Sequence, residues 1–197
     1  HWTGAEMTDD RMKNGILPVQ QIRGEIAAGH IRSSIPVTDA QLQPASMDLR
    51  LGTRGWRVRS SFLPGLGTSV AQKLDRFAMH QIDLTDGAVL ERGCVYIVEL
   101  QESLSLPDTL SAMANPKSST GRLDVFTRLI TDGSAEFEAV AYGYDGLLYA
   151  EISPRTFSVL VRAGSCLSQL RLRRGPASMS DAAMEALHQD CLLYTSP

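Results

Sequence analysis

Cys94-Val95-Tyr96-Ile97-Val98-Glu99-Leu100 follows the turn-forming Glu91-Arg92-Gly93 and is dominated by β-branched and aromatic residues, the composition of a strand. Upstream the same texture recurs. Met47-Asp48-Leu49-Arg50-Leu51 alternates strictly, and Trp56 and Val58 alternate with Arg57 and Arg59. Downstream, residues 147–152, 156–162 and 166–173 are strand-like runs set off by Ser153-Pro154 and Ala163-Gly164. Short strands at regular spacing, punctuated by Gly and Pro, predict a sandwich, jelly roll or closed barrel-like β fold and not a βαβ sheet. Two helices flank the β region. Residues 17–29 place Ile22 and Ile26 four apart and end on Gly29, and residues 180–188 read as a capped terminal helix with Met184 and Leu187 on one face.

Composition sets the outer limits. The 197 residues carry 19 basic and 22 acidic side chains, a formal charge of -3, so no general field draws the protein onto nucleic acid or an anionic membrane. No apolar run reaches the eighteen or so residues of a bilayer span, and no signal pattern opens the chain. Cys94, Cys166 and Cys191 are widely spaced, odd in number and lack CxxC or Cys/His spacing, which predicts a reducing, cytoplasmic setting and no structural zinc site. His30, His80 and His188 have no i, i+4 His or Cys companion, so no metal ligation is expected of them. One domain over residues 7–190 is expected. Residues 1–6 precede Met7 without periodicity, and 191–197 change character abruptly; both are expected to be foreign to the fold, with a natural chain that continues further.

Four segments carry candidate chemistry. In Asn115-Pro-Lys-Ser-Ser-Thr-Gly-Arg122, small hydroxyl residues stand beside a Gly and between Lys117 and Arg122. That supplies donors, little bulk and local positive charge for a phosphate or a polarised water; it is not a P-loop, and a solvated turn explains the same residues. Glu151 sits in the otherwise apolar run Leu148-Tyr-Ala-Glu-Ile152, on the alternating face of Leu147 and Tyr149. A carboxylate held in or beside a cleft suits general acid/base work, whereas an edge strand would leave it in water. Ala141-Tyr-Gly-Tyr-Asp-Gly146 packs two aromatics and two glycines before that run, either to fence a base or sugar or as a plain hairpin turn. Gln169 lies on a strand with Arg171 and Arg173 on its face, an amide for a base edge and cations for phosphate, or an exposed polar face.

Taken in this order, the segments resemble the dCTP deaminase/dUTPase superfamily, most closely its deaminase branch and the N-terminal half of double-length bacterial forms. Gln43-Pro-Ala-Ser-Met-Asp-Leu-Arg-Leu-Gly52 is similar to the family's N-terminal signature, Leu106-Pro107 precedes the Lys-Ser-Ser-x-x-Arg motif, Leu148-Tyr-Ala-Glu151 is similar to the strand of the deaminase glutamate, and residues 164–170 resemble the last nucleotide-binding strand. The resemblance spans about residues 17–175 and implies a mainly β, dUTPase-like distorted jelly roll (β-clip) with short terminal helices. It further implies a homotrimer, or a pseudo-hexameric assembly with a C-terminal half, that converts dCTP to dUTP and ammonia without zinc. Carried over residue by residue, Glu151 shuttles protons, Ser118 and Arg122 hold the attacking water and polarise the reacting centre, Lys117 and Ser119 meet phosphates, Tyr144 borders the sugar and Gln169 contacts the nucleotide. Mg²⁺ would accompany the triphosphate as its counter-ion.

The chain departs from the pattern in two places. Single-length deaminases carry His-Arg-Ile-Asp where this chain has Glu138-Ala-Val-Ala141, and Lys117 replaces the usual Arg. Ala141 also stands where dUTPases place their water-activating aspartate, which sets the dUTPase or bifunctional reading second and a non-catalytic nucleotide-binding half third.

Overall fold

The computed structural model describes residues 14–175. The helix expected at 180–188 and the ends 1–6 and 191–197 lie outside them. In chain order the elements are β1 (Gly15–Ile16), α1 (Val19–Ala27), β2 (Ile31–Ser33), β3 (Leu42–Gln43), β4 (Ser46–Val58), α2 (Val70–Phe77), β5 (Ala78–Asp83), β6 (Ala88–Leu90) and β7 (Val95–Ser105). There follow β8 (Leu110–Pro116), α3 (Ser118–Arg122), β9 (Val125–Thr131), β10 (Ala139–Val140), β11 (Asp145–Pro154), β12 (Val159–Val161) and β13 (Cys166–Arg174). The main sheet runs β10-β8-β13-β4-β7-β11-β9, and β6 pairs with β12 in a separate ribbon. Every pairing is antiparallel.

The two alternating runs at 47–51 and 56–58 form one long strand. β4 pairs with β13 through Met47 to Arg50 and with β7 through Leu51 to Val58, with a register shift between Leu51 and Gly55. Glycine makes that bend sterically accessible: a Cβ on Gly52 would stand 2.6 Å from the Glu99 carbonyl oxygen, and one on Gly55 would stand 3.1 Å from Ile82, Leu84 and Val98. A strand that crosses from one layer to the other at such a point folds the sheet over its own core. Inside lie Leu49, Leu51, Val98, Leu100, Leu148, Ala150, Ile152, Leu170 and Leu172. Glu138 draws the two ends of the sheet together, because its N–H donates to Leu129 O (3.0 Å, β9) and its carbonyl accepts from Ala114 N–H (2.8 Å, β8). The fold is therefore mainly β and nearly closed, as expected.

Behind the β7-β11-β9 layer a second, smaller apolar cluster gathers Val58, Phe62, Val70, Leu74, Ile97, Ile130 and Tyr149 under α2. α2 itself begins with a capping box in Ser69-Val-Ala-Gln72, where Ser69 Oγ accepts from Gln72 N–H at 3.1 Å. Two local readings need correction. Only residues 159–161 of the expected strand 156–162 pair, with β6, because Thr156 turns to bond Asp124. The polar turn at 117–122 contains one helical turn, α3, anchored by the buried Thr120, whose Oγ1 donates to Leu167 O at 2.8 Å.

Candidate functional site

Glu151 is not an edge-strand residue. β11 lies between β7 and β9, with Glu151 opposite Ile97 on one side and Arg128 on the other, so its side chain is 2% exposed. Both carboxylate oxygens are engaged: Arg128 Nε donates to Oε1 at 3.0 Å and Ser61 Oγ donates to Oε2 at 2.6 Å. Arg128 also donates from Nη2 to Ser61 Oγ at 2.8 Å, and its guanidinium lies 3.4 Å over the centre of the Phe137 ring and 4.9 Å from that of Phe126. The carboxylate is thus oriented by a cation that aromatic faces hold in place. The alternation expected to put Leu147 on this face is interrupted by a register shift between Leu147 and Tyr149, and Leu147 is left exposed.

Lys117 and Gln169 both neighbour Asp48 on β4. β13 sets Gln169 between Asp48 on β4 and Asn115 on β8, and Ser46 Oγ donates to Gln169 Oε1 at 3.3 Å. Lys117 caps the end of β8 and ion-pairs through Nζ with Asp48 Oδ2. Asp48 is 4% exposed, and its Oδ1 has no partner among the described residues. Ser118, Ser119 and Arg122 stand exposed on α3. On β4 itself, the buried ion pair of Arg50 with Glu102 (2.7 Å) stiffens the strand: Glu102 also accepts from Arg50 N–H at 2.8 Å and Gln41 Nε2 at 3.0 Å, and Arg50 Nη2 reaches Ile35 O at 2.7 Å. A buried pair satisfied this fully specifies one strand geometry.

Tyr144 borders a cleft of about 900 Å³, within the range of small-molecule sites. One wall is β8 and β13, presenting Ser111, Met113, Asn115, Arg171 and Arg173; the other is 131–136 and 139–142 with Tyr144. The Tyr144 hydroxyl donates to Leu147 O at 2.6 Å and accepts from Asp132 N–H at 3.2 Å, and burial pushes the phenol above its ordinary range. Gly146 must lack a side chain here, since a Cβ would stand 2.7 Å from that hydroxyl. Of the residues expected in the site, the cleft wall includes Tyr144, while Glu151, Lys117, Ser118, Ser119, Arg122 and Gln169 lie off its lining. Within the single chain Lys117 and Gln169 share Asp48 as a neighbour, by ion pair and by strand register.

Three contributors were not singled out from sequence. Arg128 alternates in the strand 125–131 and was legible as a cation on a β face. Ser61, ninety positions from Glu151, had no local signal. Glu138 is the third: it adopts φ +68°, its Oε1 accepts from Leu129 N–H at 3.1 Å and its Oε2 is buried without a partner among the described residues. Burial pushes its carboxyl up to about 7, against the opposing pull of the Leu129 N–H and of Arg128. Among the described residues no three His, Cys, Asp or Glu side chains gather as a metal-binding group, and no helix is long and apolar enough to cross a membrane.

Comparison with known proteins gives this arrangement its relatives. Residues 13–176 match the family model of the 2'-deoxycytidine 5'-triphosphate deaminase (DCD) N-terminal domain. A Streptomyces coelicolor protein named "dCTP deaminase, dUMP-forming" is 32% identical over 161 residues, covering 81% of this chain and 80% of that protein. A Beutenbergia cavernae protein of the same name is 28% identical over 156 residues, covering 79% and 77%. The crystal structure of 2'-deoxycytidine 5'-triphosphate deaminase from Agrobacterium tumefaciens is 54% identical with a TM-score of 0.81; the match covers 90% of this chain and 54% of that one, so the chain spans about half the length of that relative. By sequence and by fold, the chain belongs to the dCTP deaminase family of enzymes.

Proposed function

We propose that the protein hydrolytically deaminates dCTP without zinc, with Glu151 as its acid/base. The observation that carries this reading is a carboxylate at the family's glutamate position, 2% exposed and oriented through both oxygens by Arg128 and Ser61. Water adds across the N3=C4 bond of cytosine, one of its protons ending on N3 and the other passing through Glu151 to the departing amino group, so the C4–N bond breaks, ammonia leaves and a C4 carbonyl remains. Ser118 and Arg122 hold the water and polarise the centre; Lys117, released from Asp48, and Ser119 meet the phosphates; Gln169 and Tyr144 fix the nucleotide. Mg²⁺ would be carried by the triphosphate oxygens, which supply the hard oxygen donors it prefers. The exposure of Ser118, Ser119 and Arg122, away from Glu151, supports a site completed by a neighbouring chain, in a homotrimer or a pseudo-hexamer with a C-terminal half.

Two observations keep neighbouring readings alive. The relatives from Streptomyces coelicolor and Beutenbergia cavernae are named dUMP-forming, which favours a further loss of pyrophosphate, although Ala141 offers no carboxylate for it. The chain's span of 54% of the Agrobacterium relative favours a nucleotide-binding half. Ammonia release with separation of products, from dCTP, CTP and dUTP with Mg²⁺ and in parallel with Glu151→Gln, distinguishes them. Conversion of dCTP to dUTP by the parent protein alone supports the assignment, and pyrophosphate with dUMP supports the bifunctional reading. Turnover retained by Glu151→Gln removes the role given to Glu151, and dCTP binding without turnover supports the binding half.

A further inference from the structure

We infer that Ser61 is a built-in stopper on the acid/base carboxylate: in the resting chain its hydroxyl fills the place that the attacking water takes beside Glu151, and turnover requires it to withdraw. The inference rests on the reading of Glu151 as the acid/base. Ser61 Oγ donates to Glu151 Oε2 at 2.6 Å and accepts from Arg128 Nη2 at 2.8 Å. A water about to be deprotonated makes the same two contacts, donating to its base and accepting from a cation. The other oxygen, Oε1, accepts from Arg128 Nε at 3.0 Å, so both oxygens are engaged before any nucleophile arrives. Hydroxyl and guanidinium are also the two groups that the proposed reaction draws from Ser118 and Arg122. Among the described residues the side-chain partners of Glu151 are instead Ser61 and Arg128.

Of the two partners, Ser61 is the one that can leave. Arg128 belongs to β9, which pairs with β11 from Val125 to Thr131, and its guanidinium lies against the rings of Phe137 and Phe126. Ser61 belongs to the loop between β4 and α2 and is itself exposed, although it helps to hold Glu151 at 2% exposure. The next residue, Phe62, is 8% exposed and stacks on Phe77 with ring centres 5.3 Å apart. A χ1 rotation of Ser61 therefore takes Oγ off the carboxylate while Phe62 stays packed. The withdrawn hydroxyl meets solvent, and a water takes its place between Glu151 and Arg128, so the exchange of one oxygen for another costs little. Only the fraction of molecules with Ser61 withdrawn offers Glu151 a substrate water, and kcat/KM scales with that fraction.

Two measurements on the parent protein, Ser61→Ala, Ser61→Gly and Ser61→Thr test the stopper. The first needs no turnover: carboxylates are labelled with a water-soluble carbodiimide and glycinamide, and the rate at Glu151 is read by peptide mass spectrometry. Ser61→Ala and Ser61→Gly are expected to label Glu151 about tenfold faster, the weight of one charge-assisted hydrogen bond, and Ser61→Thr, which keeps the hydroxyl, to stay within about twofold of the parent. The fully buried Glu102 is the internal control; its constancy shows that the fold is intact. The second measurement is ammonia release from dCTP with Mg²⁺, where Ser61→Ala is expected to raise kcat/KM up to about tenfold and Ser61→Thr to leave it parent-like. Parent-like labelling of Glu151 in both Ser61→Ala and Ser61→Gly overturns the stopper. So does a fall of kcat/KM in Ser61→Ala with Glu102 still protected, because Ser61 then helps the reaction that it was inferred to hold back. Faster labelling without ammonia from any of the four proteins refutes deamination and leaves Ser61 as the cover of Glu151.

Discussion

Replacing Arg128 by Gln removes the cation from a carboxylate that is 2% exposed and leaves Ser61 as its remaining partner. Breaking one side of a buried ion pair costs about 3–5 kcal/mol, chiefly through the stranded charge. The Arg128 side chain is 26% exposed, and Ser61 Oγ still donates to Oε2 at 2.6 Å. Both facts place the expected loss at the lower end, about 3 kcal/mol. For a domain of this size each kcal/mol moves the melting temperature by roughly 2–4 °C, so Arg128→Gln should melt about 6–12 °C below the parent. Glu151→Gln removes the charge instead, and in its background the second change should cost much less, giving a coupling energy of about 2 kcal/mol in a double-mutant cycle. The rival account is that Arg128 matters through its stacking on Phe137 at 3.4 Å. That account predicts the same loss in both backgrounds. A coupling energy below about 0.5 kcal/mol, the scatter of independent sites, would refute the view that Arg128 exists to hold Glu151.

Further expectations follow from other parts of the structure. Glu138 has a folded-state pKa raised to about 7 from 4.5. The folded chain therefore binds more protons than the unfolded one between those values, and the stability of the neutral form, complete below about pH 4.5, is lost as pH rises through about 7. Glu138→Gln should accordingly gain several degrees of melting temperature on the parent at pH 8 and little at pH 5; a difference independent of pH would show that the carboxyl does not titrate as its burial implies. Lys117→Ala leaves Asp48, 4% exposed, without its cation, and thermal or urea unfolding should show a loss of about 3 kcal/mol; Asp48→Asn in the same chain should recover part of it. Gly52→Ala drives a Cβ to 2.6 Å from the Glu99 carbonyl and should cost about 1–3 kcal/mol as an overpacked site, read by urea unfolding, whereas Gly121→Ala, with open space around it, should fall within about 0.5 kcal/mol of the parent.

What could be read from the sequence was what local periodicity encodes. Val95 to Leu100, Met47 to Leu51 and the alternation of Gln169, Arg171 and Arg173 each declare a strand and its two faces over a few residues, and the pattern of short strands is sufficient for a mainly β fold. α2 was missed although Ser69 and Gln72 spell its cap, because the helix is short and its apolar stripe has only Val70 and Leu74 buried. Depth was not legible. Alternation put Glu151 on a face, but its burial comes from β7 and β9 on either side, strands that begin 56 and 26 residues earlier in the chain. The same holds for the groups that act on it. Ser61 reaches Glu151 across ninety positions, through a loop whose conformation depends on Gly65 and Gly67 at φ +79° and +71° and on the Gly65 N–H to Ser134 O bond at 3.0 Å. That bond joins the loop over Glu151 to the segment that walls the cleft, and Leu66, 90% exposed, lines the cleft from the same loop. A ligand that displaces Leu66 or the 131–136 wall thus pulls on the backbone that carries Ser61. Glu151 and the cleft, separate as surfaces, are thus linked through the backbone of the 59–69 loop, which sequence patterning alone reads as a connection.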